Sequence, residues 1–115
     1  MAGRLEGQHV AVTGGSRGIG AAIVAKALDE GAVVSIVDVE EEAGRQFVDA
    51  LAARDRVFFA QGDIRFADQI RRFHEGAVAR FGPVTALVNN AGRNANADPI
   101  AMTEAEWDAV FAVDL

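Results

Sequence analysis

The sequence contains no cysteine and no tyrosine, one tryptophan and two prolines among its 115 residues. Without cysteine there is no disulfide framework, no thiol nucleophile and no thiolate metal site. Without tyrosine there is no phenol to give or take a proton, and Lys26 is the sole lysine. No apolar run approaches the roughly 18 residues of a membrane span. The opening Met1-Ala2-Gly3-Arg4-Leu5-Glu6-Gly7 lacks the apolar stretch of a secretion signal. The expectation is a soluble cytoplasmic protein with no membrane partner. Positive charge is scarce, with Lys+Arg 11 against Asp+Glu 17, a net charge of −6 and a pI near 4.8. Nucleic acid is therefore a poor partner, because phosphate contacts need clustered cations. His9 and His74 show no partner spacing for a metal or a catalytic triad. They read as surface or strand-end residues, and no metal site is expected.

What is present is a half-apolar chain, 50% hydrophobic with 12 glycines, enough to bury the core of one compact domain spanning residues 1–115. Short runs rich in β-branched and aromatic residues begin at Val10-Ala11-Val12 and recur at Val33–Val37, Val57–Ala60 and Val84–Val88. Strands buried on both faces read as continuous apolar runs of this kind. Between them lie segments of helical spacing. Ile19, Ile23 and Ala27 form one apolar face, Ala43, Phe47, Ala50 and Leu51 a second, and Phe66, Ile70, Phe73 and Ala77 a third. Gly31 suits a C′ position after the first helix, and Gly82-Pro83 ends the third. Thr103-Glu104-Ala105-Glu106 has the capping-box pattern, with Trp107, Val110 and Phe111 continuing a fourth helical face. Strict alternation of strand and helix predicts an α/β fold, a parallel sheet with right-handed crossovers and helices on both faces. The irregular stretch Arg93–Pro99 is either a substrate-contacting loop or a plain connection. Asp114-Leu115 falls inside a helical pattern without a stop signal, so the sequence reads as the first half of a longer protein.

The first strand leads into Thr13-Gly14-Gly15-Ser16-Arg17-Gly18-Ile19-Gly20 and then directly into a helix. Glycine lets the backbone approach a ligand and adopt positive φ, and a helix N-terminus presents free N–H groups to a pyrophosphate. The same residues also suit a simple tight strand-to-helix turn. Asp38 ends the second strand 18 residues after Gly20, where a carboxylate accepts hydrogen bonds from an adenosine ribose. It would repel a 2′-phosphate, favouring NAD over NADP, whereas Arg17 could pair with that phosphate. Asp38 also suits a helix cap before Glu40-Glu41-Glu42. Asn89-Asn90-Ala91-Gly92 closes the fourth strand, where asparagine is equally at home in a turn.

Taken together, these segments resemble the N-terminal half of the short-chain dehydrogenase/reductase family. TGGSRGIG (Thr13 to Gly20) looks like its cofactor turn, Asp38 its ribose acid, Gly62-Asp63-Ile64 its adenine segment and Asn89 to Gly92 its N-N-A-G motif. The resemblance implies a Rossmann-type sheet of order 3-2-1-4, broken off after the fourth strand and its following helix. It implies that Asp63 bonds the adenine amino group while Ile64 flanks the ring. Thr13, Gly14, Gly18 and Gly20 would form the turn, and Ser16, Arg17 and Ile19 would line the pyrophosphate. Asn89 would fix the fourth strand, with Ala91 and Gly92 leaving room for ribose and nicotinamide. The cofactor implied is NAD, with NADP second, and the reaction is hydride exchange between a secondary alcohol and a ketone.

The family's catalytic Ser and Tyr-x-x-x-Lys have no counterpart in this sequence, so none of its residues is assigned a catalytic role and the chain by itself is expected to bind NAD weakly without turnover. Asp114 stands where the family usually has Asn, and beside a lysine it would raise that lysine's pKa. The helix beginning near Thr103 packs against another subunit in the family, which implies a homo-oligomeric parent. An isolated chain with its fourth strand at a sheet edge is expected to be marginally stable or to associate. Competing readings are a dinucleotide-binding module without catalysis and an α/β protein using the turn for another nucleotide.

Overall fold

A computed structural model describes residues 3–16 and 18–90. The elements are β1 (His9–Thr13), α1 (Gly18–Asp29), β2 (Val33–Asp38), α2 (Glu41–Asp49), β3 (Val57–Gln61), α3 (Ala67–Phe81) and β4 (Ala86–Asn89), with a short 3-10 turn at Arg54–Arg56 before β3. The strands form one parallel sheet in the order β3-β2-β1-β4. The chain steps outward from β1 to β3, then returns through α3 to lay β4 on the other side of β1. This is the doubly wound arrangement expected from the alternation, and its strand order reverses between β1 and β4.

Period-two alternation along the inner strands sorts the core into two layers. Val10 and Val12 of β1 with Val34 and Ile36 of β2 face α1 and α2, meeting Val24, Ala27 and Leu28. Ala11 and Val37 face the opposite way, onto Ile70, Phe73 and Ala77 of α3. The two phenylalanines of β3 take opposite faces, and each is received by a glycine. A Cβ on Gly44 of α2 would lie 2.1 Å from the Phe59 ring, and one on Gly76 of α3 would lie 2.7 Å from Phe58. A glycine allows the helix to approach the sheet closely over a large ring.

Several details differ from the sequence expectation. In α1 the buried residues are Gly20, Val24, Ala27 and Leu28, whereas Ile19 is 69% exposed. The β4 ladder covers Ala86–Asn89, two residues later at its start than the apolar run suggests, with Thr85 just before it bonded to His9 through both its backbone N–H and its hydroxyl. Ala50 is exposed because α2 ends at Asp49. The helix stops are as read: Gly31 has φ 94°, and Gly82 has φ 84°. The capping box at Thr103, the Arg93–Pro99 loop, Trp107 and Asp114 lie outside the described residues.

Candidate dinucleotide-binding site

The carboxyl ends of β1, β2 and β4 converge on the glycine turn. Thr13, the last residue of β1, pairs in register with Val37 of β2 and Asn89 of β4. Its hydroxyl donates to Oδ1 of Asn89 at 3.0 Å. The next residue, Gly14, donates its N–H to the Val37 carbonyl at 2.8 Å and accepts at its own carbonyl from Nδ2 of Asn90 at 3.2 Å. The turn is thus tied to the strands on both sides. Asparagine suits this double duty, since one amide can close a ladder's last rung and the next can reach across to a carbonyl.

Glycine is required here for two separate reasons. Gly14 and Gly18 have φ 65° and 56°, a region that costs an L side chain roughly 1–2 kcal/mol. A Cβ on Gly20 would stand 2.1 Å from the Gly14 carbonyl oxygen, so no side chain fits where the helix folds back under the turn. At Gly18 nothing lies within 4 Å of the position a Cβ would take, so the turn presents an open backbone face. The first turn of α1 carries no acidic residue, leaving its positive end available to an anion.

Asp38 closes the other side. It is buried, and its Oδ2 accepts the Ser16 hydroxyl, while Oδ1 accepts the Glu40 N–H at 3.3 Å. Ser16 therefore spends its side chain on the acid, and Asp38 turns the chain toward α2. Gly62 donates its N–H to the Asp38 carbonyl at 3.0 Å, which sets Asp63 beside Asp38 along the sheet edge. The Asp63 carboxylate is gripped by Arg65, and that guanidinium holds it below the usual carboxylate range. Ile64 is buried. Ile19 and Val39 are exposed at the rim.

The structure brings together Thr13, Gly14, Ser16, Gly18, Gly20, Asp38 and Asn89, with Asp63 and Ile64 one strand away. Arg17, Ala91 and Gly92 lie outside the described residues. Two contributions escaped the sequence reading. In the sequence Asn90 reads as a member of the N-N-A-G motif or a turn former, with no role of its own, and its tie to Gly14 is seen once β4 is laid beside β1. Arg65 and Gln69 brace Asp63, and the Asp-x-Arg spacing of an Asx turn was the available signal for the first of them. Among the described residues no cluster of His, Asp or Glu could hold a metal ion, and no helix is long and apolar enough to cross a membrane.

Residues 8–115 match the short chain dehydrogenase family. The chain belongs to that family. It is 38% identical over 113 residues to a Rhizobium meliloti protein named "Probable galactose dehydrogenase", an alignment covering 96% of this chain and 44% of that one. An NADP-dependent (R)-specific alcohol dehydrogenase of Lentilactobacillus kefiri is 34% identical over the whole chain and 46% of its own length. Among solved structures, a short-chain dehydrogenase/reductase of the glucose/ribitol type from Brucella melitensis superposes with a TM-score of 0.76 at 29% identity, covering 100% of this chain and 48% of that one. The chain spans less than half the length of these curated relatives. As a short-chain dehydrogenase fold, its glycine turn, Asp38 and the Asn-Asn strand end lie at the crevice where strand order reverses, the general ligand position in open α/β sheets.

Proposed function

We propose that this chain forms the coenzyme-binding part of an NAD-dependent oxidoreductase that interconverts a secondary alcohol and a ketone. One observation carries the choice of NAD: the buried Asp38 carboxylate, pinned by Ser16 beside the open backbone face of the glycine turn. The site fits the group. Backbone amides from Gly14 to Gly20 and the α1 N-terminus would receive the diphosphate, and Asp38 would accept from the adenosine ribose hydroxyls. Asp63 would accept from the adenine amino group with Ile64 against the ring, while Asn89 keeps β4 closed on Thr13. When bound, the nicotinamide supplies the hydride acceptor or donor.

A carboxylate at Asp38 welcomes two hydroxyls and repels a 2′-phosphate. The NADP-dependent Lentilactobacillus relative shows that the family is not tied to one coenzyme, so the discrimination has to come from residues such as Asp38 and Arg17. The sequence has no tyrosine, and no residue in it is assigned the acid–base step. The reading brings with it a small-molecule alcohol or ketone as substrate, a cytoplasmic setting and a homo-oligomeric assembly.

Fluorescence titration with NADH and NADPH tests it. The protein is expected to bind NADH at least about tenfold more tightly, the worth of one charged hydrogen bond. Asp38→Ala is expected to bring the two affinities within about threefold. An unchanged ratio would remove Asp38 from the site. Turnover of a secondary alcohol by the 115-residue chain would show that a proton-transfer group exists within it and overturn the division of labour.

A further inference from the structure

The Asp63 carboxylate, the acceptor assigned above to the adenine amino group, is already fully bonded within the chain. Its Oδ1 accepts the Arg65 backbone N–H at 3.0 Å and Nε at 3.1 Å, and its Oδ2 accepts Nε at 3.2 Å and Nη2 at 2.7 Å. These four contacts match the four acceptor directions of a carboxylate, and every one comes from Arg65. Three of them belong to the guanidinium, which meets the acid as a fork. The turn itself does not depend on that fork. The Asp63 N–H donates to Oε1 of Gln69 at 2.7 Å, its carbonyl accepts the Phe66 N–H at 3.1 Å, and the Arg65 backbone N–H holds Oδ1. The fork is also the outer part of the arrangement, with the Arg65 side chain 48% exposed over an acid that is 19% exposed.

We propose that Arg65 is an internal competitor of the coenzyme: its guanidinium holds the Asp63 carboxylate, and a purine amino group binds there only by displacing it. The inference rests on the coenzyme reading above. Displacement strips Oδ2 of both its donors and leaves the backbone N–H on Oδ1, so the acid keeps its place while Oδ2 changes partner. An ion pair this exposed is worth little, because water solvates the separated charges. The Phe66 ring, its centroid 5.9 Å from the guanidinium carbon and itself half-exposed, gives the released side chain a second resting face. Only molecules with the fork open accept the amino group, and the apparent affinity falls by that fraction. A purine with a carbonyl at C6, as in hypoxanthine, has no amino group to offer Asp63 and gains nothing from opening the fork. Arg65 therefore weakens binding of the adenine coenzyme and leaves its deamino analogue unaffected.

The test is a fluorescence titration of the protein with NADH and with its deamino (hypoxanthine) analogue, for wild type, Arg65→Ala and Arg65→Lys, with circular dichroism to verify the fold. The readout is the ratio of the two affinities, because loss of a cation weakens both anionic nucleotides alike and cancels in it. Arg65→Ala should raise the preference for NADH by about two- to fivefold, the range of an exposed ion pair. Arg65→Lys keeps the charge but loses the fork, and should raise it by less. In wild type, NMR should show the Arg65 Nε–H exchanging slowly with water, and rapidly once NADH saturates the protein. The deamino analogue should leave that exchange slow. If NADH saturates the protein while the ratio is unchanged or falls in Arg65→Ala, the competitor role is overturned and the coenzyme reading stands. An Nε–H that stays protected under saturating NADH overturns it equally, and decides the matter should Arg65→Ala fail to fold. Absence of saturable binding by either nucleotide to the wild-type protein overturns both.

Discussion

At the scale of single residues, the site consists of short polar side chains whose bonds are directed sideways, along the sheet edge. Thr13 bonds Asn89, Asn90 bonds Gly14, Ser16 bonds Asp38 and Arg65 bonds Asp63. These ties leave the glycine backbone as the outward face. The Asp63–Arg65 pair makes a prediction about acid. Its largest cause being the hydrogen bond from the Arg65 side chain, the Asp63 carboxyl titrates below the ordinary carboxylate range. A depressed folded-state pKa means that the pair's contribution is present above the unfolded carboxylate value, near 3.9, and is lost as pH falls through the folded value. Carboxyl-detected NMR is expected to show Asp63 titrating below a typical surface aspartate. In Arg65→Ala the midpoint should rise toward the ordinary range, and an unmoved midpoint would mean that Arg65 is not the cause.

At the scale of elements, strand and helix identity was legible in the sequence, but the phase of α1 was not. Scoring Ile19, Ile23 and Ala27 as the buried stripe follows the largest apolar side chains, and the structure instead buries Gly20, Val24, Ala27 and Leu28. The contact nearest the turn is backbone against backbone, so the residue at closest approach has no side chain and is invisible to a hydrophobicity pattern. Ile19 is left exposed on the outer side of the helix start. Phe66 escapes the third stripe for a related reason, since it sits at the N-cap of α3 and is 50% exposed. The ends of α1 were better specified. Gly31 donates to the Leu28 carbonyl and Ala32 to that of Ala27, the paired bonds of a Schellman stop. With φ at 94° and Glu6 3.3 Å from a would-be Cβ, Gly31→Ala is expected to cost about 1–2 kcal/mol. Urea unfolding checks this, and a change below about 0.5 kcal/mol would show that the stop relaxes freely.

At the scale of the whole molecule, the strands have one end that carries the glycine turn and an opposite end that anchors the helices, and His9 belongs to the second. A histidine at the start of a strand reads from sequence as a surface or strand-end group. It is indeed at a strand end, but it is buried, with Nδ1 2.9 Å from the Gly82 carbonyl and Nε2 2.7 Å from Oγ of Ser35. Its ring also meets Phe81 edge-on at 5.5 Å. Since a carbonyl can only accept, Nδ1 carries the hydrogen toward Gly82, and in the neutral ring Nε2 then accepts from Ser35. One side chain joins β1, β2 and the end of α3 at the strand end opposite the glycine turn. Such a tie sets the angle at which α3 leaves the sheet, and therefore where β4 enters beside β1 and Asn89 meets Thr13. His9→Ala should strip the part-buried Gly82 carbonyl and the buried Ser35 hydroxyl of a partner each and open a cavity. The expected loss is about 2–4 kcal/mol, large against a total stability of about 5–15 kcal/mol. Thermal unfolding should shift down by about 10 °C or more. The decisive comparison is with His9→Gln, which offers a donor and an acceptor on a shorter, flat amide. Partial recovery by Gln would show that the polar ties hold the anchoring end, whereas Ala and Gln falling equally would assign the loss to ring packing against Phe81.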